Sequence, residues 1–265
     1  MPRLVPALAW LILLGAATAS AQTPQSGETT PAASSLGFLT RYDFHLSAAV
    51  VSSGDPRISA QARFGGDLDL VSFGATRATL LVDYEAVFGD QVRLLEPIQG
   101  NYLIEASVTG GERSTRVGWV VRHVSRHLSD REQTRPVDWN ELAVRLAFSA
   151  PAGRWTVSSR ADVGVVFHER FVDYNWAAES DLLLRRPVRP RVGVFAHGFI
   201  EWIGLDQRIA GRRLQPAGRV EGGVSLGGRA GALELFAAGE RRLDPYPLER
   251  RAAFWLVAGF RIVSR

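Results

Sequence analysis

Cysteine and lysine are both missing from the 265 residues, and the single methionine is the first residue. Without cysteine there is no disulfide framework, no Cys-ligated zinc, no iron–sulfur cluster and no thiol nucleophile. All 31 basic residues are arginine, set against 27 acidic ones for a formal charge of +4. The basicity therefore comes from the choice of arginine and not from a large excess of positive charge. Past the first twenty residues no uncharged apolar run approaches the length of about 18 that a membrane helix needs. Phosphate-loop and dinucleotide fingerprints are absent. So is the basic module interleaved with stacking aromatics that nucleic-acid binding would require, and nucleic acid is excluded as a partner.

The chain opens with an export signal. Arg3 supplies the positive start, Leu8 to Ala17 the apolar stretch, and Ala19-Ser20-Ala21 the small-residue cleavage pattern. Residues 1–21 are expected to be removed, and 22–36, rich in Thr, Pro, Ser and Ala, to form a disordered periplasmic lead-in. The fold is then expected over 37–265.

From Phe38 onward the dominant period is two. Tyr42, Phe44, Leu46, Ala48 and Val50 alternate with Arg41, Asp43, His45 and Ser47, and Val82, Tyr84, Ala86 and Phe88 alternate with Asp83 and Glu85. This predicts twelve strands, at 38–53, 57–72, 76–89, 97–110, 113–128, 138–149, 154–169, 174–186, 189–204, 213–228, 231–243 and 249–263. Alternation admits either a soluble sandwich, apolar side inward, or a membrane barrel, apolar side outward. Three features favour the barrel. Short connections such as Gly110-Gly111, Pro151-Ala152-Gly153 and Gly227-Gly228 alternate with longer polar ones, as periplasmic turns alternate with external loops. Aromatics sit near the ends of the apolar faces (Tyr42, Trp119, Trp155, Trp202, Phe254). Opposite charges share the other face, as in Arg160 with Asp162 and Arg219 with Glu221. The even strand number also suits a closed barrel, and only closure satisfies every backbone group in lipid. The expectation is an all-β protein, a closed antiparallel transmembrane β-barrel of the bacterial outer membrane. Its final strand would serve as the assembly signal, and its interleaved lumen charges would leave little room for ion flow.

Chemistry is concentrated on the fifth and sixth predicted strands. In Arg116 to His127 the odd residues carry Trp119 and Val121, so His123 and Ser125 belong to the lipid side. In Asp138 to Phe148 the even residues Leu142, Val144, Leu146 and Phe148 are apolar, which puts Asn140 on that side as well. If His123 pairs with Asn140, the same ladder pairs Val121 with Leu142 and Trp119 with Val144, apolar against apolar. Directly opposed residues hold their Cβ atoms about 4.5–5.5 Å apart. Asn140 could then orient the His123 ring while the other ring nitrogen faces Ser125, whose hydroxyl needs a base to become a nucleophile. His45-Leu46-Ser47 is a second His-x-Ser, on the charged face, with no role assigned. His127, His168 and His197 are expected in the lumen or in loops.

His123-Val124-Ser125 followed by Trp139-Asn140 resembles the active-site signature of the outer-membrane phospholipase A family, twelve-stranded barrels with a Ser-His-Asn site facing the outer leaflet. That family continues His-x-Ser with Asn-Gly, where this chain has Arg126-His127, and its serine-to-asparagine spacing is a few residues shorter. The stretch His123 to Asp130 also resembles exported bacterial barrels of unknown function with a His-x-Ser-x-His-Leu-x-Asp signature, and lipid A deacylase barrels share the shorter His-x-Ser. The phospholipase resemblance implies a lipid acyl-ester hydrolase with Ser125 as nucleophile, His123 as base and Asn140 as orienter. It also implies a calcium ion near the site, for which Asp130, Glu132 and Asp138 are the candidate ligands; a solvated acidic loop is the competing reading. A non-enzymatic barrel, structural or a narrow channel, is the alternative function. Expected partners are membrane lipids, the outer-membrane assembly machinery and lipopolysaccharide, whose phosphates would suit Arg131, Arg135, Arg208, Arg212, Arg213, Arg241, Arg242, Arg250 and Arg251. A homodimer is left open.

Overall fold

Strand periodicity runs through the whole of the computed structural model, which describes residues 36–112, 114–129, 135–206 and 211–264. The elements are β1 (Leu36–Phe38), β2 (Tyr42–Ser52), β3 (Ala60–Phe73), β4 (Thr76–Gly89), β5 (Glu96–Gly111), β6 (Thr115–Leu128), β7 (Val137–Ala152), β8 (Trp155–Arg170), β9 (Tyr174–Arg189), β10 (Val192–Leu205), β11 (Leu214–Gly227), β12 (Gly231–Leu243) and β13 (Ala252–Ser264). Each strand from β2 onward pairs antiparallel with the next, and β13 returns to β2 from Leu256 opposite Ser52 to Val263 opposite His45. The result is a closed twelve-stranded barrel.

The predicted first strand is realised in two pieces. Leu39, in the left-handed region at φ 52°, breaks it, and β1 resumes the same line beside β3, with Phe38 opposite Val71 and Leu36 opposite Phe73. Leu36, assigned to the lead-in, thus begins a strand, while the signal segment and residues 22–35 lie outside the described residues.

The barrel has two unlike ends. At one, the connections are tight turns; Gly74 (φ 56°) and Gly153 (φ 63°) take left-handed conformations that a side chain would strain. At the other, the connections are longer, and that between β12 and β13 folds inward. Tyr246 from this connection packs with Ile98 and Leu128, and Arg57 lies over its ring at 4.4 Å. Asp244 accepts bonds from Tyr174 Oη (2.8 Å) and from the Arg212 guanidinium (2.8 and 3.0 Å).

Inside and outside are inverted relative to a soluble protein. Trp119 is 62% exposed, Phe254 65% and Val144 42%, whereas Glu234 is 0% and Asp162 1% exposed. Charges can be kept in such an interior only if they are paired. Arg145 donates to Glu105 Oε1 (2.6 Å) and to Asp162 Oδ1 and Oδ2 (2.8 and 2.6 Å). Arg122 reaches Glu105 Oε2 (3.1 Å), Asp162 Oδ2 (2.9 Å), Glu141 and Glu179. A second layer joins Glu234 and Glu221 through Arg261, with Arg185 and Arg219 at its edges. An apolar outer wall around a charge-filled interior is the arrangement a lipid bilayer demands. Side chains from β5, β6, β7, β8 and β9 meet in this layer.

Candidate active site

The hairpin β6–β7 has the register that apolar matching predicts. His123 lies opposite Asn140, Val121 opposite Leu142 and Trp119 opposite Val144. On the outer wall the His123 and Asn140 side chains meet, with Nδ1 and Oδ1 2.6 Å apart. Both residues, and Ser125, are half-buried. Ser125 shares their face, two residues along β6, with Tyr102 of β5 opposite on one side and Asp138 of β7 on the other. Its hydroxyl makes no hydrogen bond among the described residues.

Below this group, toward the middle of the barrel, one rung runs Ala106, Val121, Leu142 and Val165. It is apolar throughout and exposed at Val121, Leu142 and Val165. To one side the wall is aromatic: Phe64, Tyr84 and Tyr102 follow one another at centroid separations of 5.1 and 4.7 Å, and Tyr102 meets the His127 ring edge-on at 5.5 Å. His127 therefore lies on the outer wall, where the odd residues of β6 point, and not in the lumen. Behind the site, Trp139 faces inward beneath the Arg126 guanidinium at 5.2 Å and against the Tyr174 ring at 5.1 Å.

His168 departs from the lumen-or-loop expectation for a more instructive reason. Along β8, strict alternation from Val163 and Val165 would put Phe167 outside and His168 inside. A β-bulge intervenes: Glu141 pairs with Val166, but Asn140 pairs with His168, so Phe167 is the extra residue. The bulge turns His168 to the outer wall in the same rung as His123 and Asn140, while Phe167 remains 60% exposed. Bulges of this kind re-aim side chains and are frequent beside active sites. His168 Nε2 lies 3.6 Å from Asp138 Oδ1. The apolar run Val165-Val166-Phe167, which interrupts the alternation just before the histidine, was the signal that could have shown this. His197 bonds Asp181 at 2.7 Å and His45 bonds Asp83 at 3.3 Å, both on the lumen side.

Only Asp138 of the expected metal trio lies among the described residues. Asp130 and Glu132 lie outside them, and Asp138 directs its carboxylate at an imidazole. No group of three or more acidic or histidine side chains among the described residues is arranged to hold a metal ion. Several of the arginines expected to suit phosphates make ion pairs within the chain. Arg242 pairs with Glu85 in the lumen, Arg212 with Asp244 and Asp173, and Arg251 with Asp55 and Glu249. Arg131 and Arg208 lie outside the described residues.

The loop clamp on the outer end is electrostatically tuned. A side-chain hydrogen bond from Arg57 lowers the Asp55 carboxyl to about 2, and the same guanidinium lowers that of Glu249.

No protein-family model and no curated protein sequence matches the chain. Solved structures do match in fold. An active-site asparagine-to-alanine mutant of outer membrane phospholipase A from Escherichia coli is 11% identical over 89% of this chain and 94% of that one, with a TM-score of 0.51. The Salmonella typhi outer membrane phospholipase dimer with bound calcium is 12% identical over 84% and 90%, with a TM-score of 0.52. An outer membrane channel from Pseudomonas putida is 12% identical over 92% and 99%, with a TM-score of 0.50. The chain is an outer-membrane β-barrel.

Proposed function

We propose that this barrel is a lipid acyl-ester hydrolase acting at the outer leaflet, with Ser125 as nucleophile, His123 as its base and Asn140 as the group that orients the base. The observation that carries the reading is the 2.6 Å contact between His123 Nδ1 and Asn140 Oδ1 on a lipid-facing wall. An amide oxygen only accepts, so this bond puts the ring proton on Nδ1 and leaves the Nε2 lone pair free to act as a base. Nε2 would take the Ser125 Oγ proton as Oγ bonds to the ester carbonyl carbon. Collapse of the tetrahedral adduct expels the alcohol, which takes that proton from His123, and water then repeats the sequence on the acyl-serine. The exposed rung of Val121, Leu142 and Val165 offers acyl chains a surface directly below the serine. The active-site asparagine named for the Escherichia coli enzyme supports the part given to Asn140.

A non-enzymatic structural barrel is the second reading, and one observation favours it: the Ser125 hydroxyl is not bonded to His123. In free enzymes such bonds are often long and tighten only with substrate in place. The deciding experiment measures acyl release from phospholipid or lipid A in mixed micelles by the purified protein and by Ser125→Ala. Release by the wild type and its loss in the variant are expected. Hydrolysis that survives Ser125→Ala at the wild-type rate, or that never occurs with any of these lipids, overturns the hydrolase in favour of the structural barrel.

A further inference from the structure

The outer wall around Ser125 is asymmetric. Toward β5, β4 and β3 it is aromatic, with Tyr102, Tyr84 and Phe64 in a row. Toward β8 it carries His168 and Arg170, directly opposite Asn140 and Asp138 respectively. Arg170 is exposed and makes no ion pair or hydrogen bond among the described residues. Asp138, the acid of this patch, is turned to His168 and not to the guanidinium. Glu169 lies opposite the inward-facing Trp139, on the other side of the sheet, and does not offset the charge of Arg170 on this wall. Only the bulge at Phe167 puts His168 here. Without it His168 and Arg170 would both turn to the lumen and Glu169 to the wall, which would lose both of its basic groups.

From this arrangement we infer that His168 and Arg170 form the subsite for the phosphate of a glycerophospholipid whose acyl ester lies at Ser125. The inference rests on the hydrolase reading and adds the substrate class to it. Ser125 and Arg170 stand on strands two apart, at opposite ends of the rung that passes through Asp138. Two strand spacings are about 10 Å, a gap that a glycerol backbone on one side and the reach of an arginine on the other close between them. The Asp138 carboxylate lies 3.6 Å from the His168 ring, and the Arg170 guanidinium offers the fork of donors that suits a phosphate. The acyl chains then fall on the apolar rung below the serine, and the phosphate lies at the rim, where the headgroups of the leaflet are.

The test uses the full barrel in neutral detergent micelles and has two arms. In the first, His168→Gln and Arg170→Gln are each expected to lower the ratio of kcat/KM for phosphatidylglycerol to kcat/KM for a neutral acylglycerol about tenfold, through KM, as expected for loss of a charge-assisted hydrogen bond. Equal losses on both substrates, or no loss, overturn the subsite. The second arm needs no catalysis: dodecyl phosphate binding to Ser125→Ala is compared with binding to Ser125→Ala carrying Arg170→Gln. About tenfold weaker binding in the double variant supports the subsite, and unchanged binding overturns it. Inorganic phosphate that binds as tightly as dodecyl phosphate would also overturn it, because the subsite would then recognise a free ion and not a lipid. If no ester is hydrolysed by the wild type, the hydrolase reading fails while the binding arm still decides the phosphate site.

Discussion

Two polar regions share strands β6 and β7 and differ only in the face they occupy. On the inner face, Arg122, Glu141 and Arg145 belong to a layer in which each guanidinium contacts several carboxylate oxygens from other strands. On the outer face, the adjacent residues His123 and Asn140 make one short bond, Asp138 faces one imidazole at 3.6 Å, and the Ser125 hydroxyl has no hydrogen-bond partner among the described residues. A guanidinium held by several buried carboxylates has little freedom to do anything else, although Glu141 Oε1 in this layer has no hydrogen-bond partner among the described residues. A sparsely bonded group at the edge of lipid has unused valence, which is what a nucleophile, a base and a ligand subsite require. On the proposed hydrolase reading, the contrast separates the residues that hold the barrel from those placed to act.

The largest expected effect concerns the outer group. Ser125→Ala and His123→Ala should each lower acyl release by at least the 10² to 10⁴-fold typical of general-base assistance, and the double variant by little more, because either loss disables one unit. His45→Ala and Ser47→Ala, the lumen-side copy of the motif, should leave turnover at the wild-type level. An equal fall in that pair would erase the distinction between faces.

Next is the inner layer. Arg145→Met strands Glu105 and Asp162 without one of their partners, and breaking such a buried pair costs about 3–5 kcal/mol. Urea unfolding of the protein refolded into bilayers should show that loss. In planar bilayers the wild-type barrel should pass no large steady current if the paired charges of the inner face fill its lumen; an open-pore conductance would refute the plug.

A smaller effect is expected at Asn140. Asn140→Ala leaves His123 and Ser125 in place but frees the ring, so turnover should fall by about tenfold, the worth of a hydrogen bond of about 1.4 kcal/mol. Urea stability should change far less than for Arg145→Met.

The smallest effect is in the loops. The folded Asp55 carboxyl lies at about 2 against an ordinary 3.8. A lowered carboxyl pKa stabilises the fold fully above its unfolded value, and the contribution disappears as pH falls through the folded one. The clamp of Arg57, Asp55, Arg251 and Glu249 should therefore hold above about pH 4 and loosen toward about pH 2. Protease access to the connection between β12 and β13, followed across that window, should rise in the wild type. In Asp55→Asn it should be high already at neutral pH.

Much of the barrel was legible because its determinants are local. Alternation along Trp119, Val121 and His123 assigns a face to each, and matching apolar faces across a hairpin leaves one register, the one with His123 opposite Asn140. The same reasoning failed for His168, since counting by two carries through a bulge without noticing it. Asp138 groups with Asp130 and Glu132 by proximity along the chain, while the imidazole it faces lies on the next strand. Arg212 and Arg242 looked like surface cations because nothing near them in sequence announces Asp244, Asp173 or Glu85.

What the amino-acid order alone determined is the strand pattern, the assignment of most residues to lipid or lumen, and the pairing within β6–β7, because each depends on neighbours a few residues apart or joined by one connection. Tertiary structure decided which charges meet, where the connection between β12 and β13 folds in, and which imidazoles share the outer wall. Those depend on the closure of β13 on β2 and on the single extra residue in β8. Both bring together groups from strands far apart in the chain, which no local period encodes.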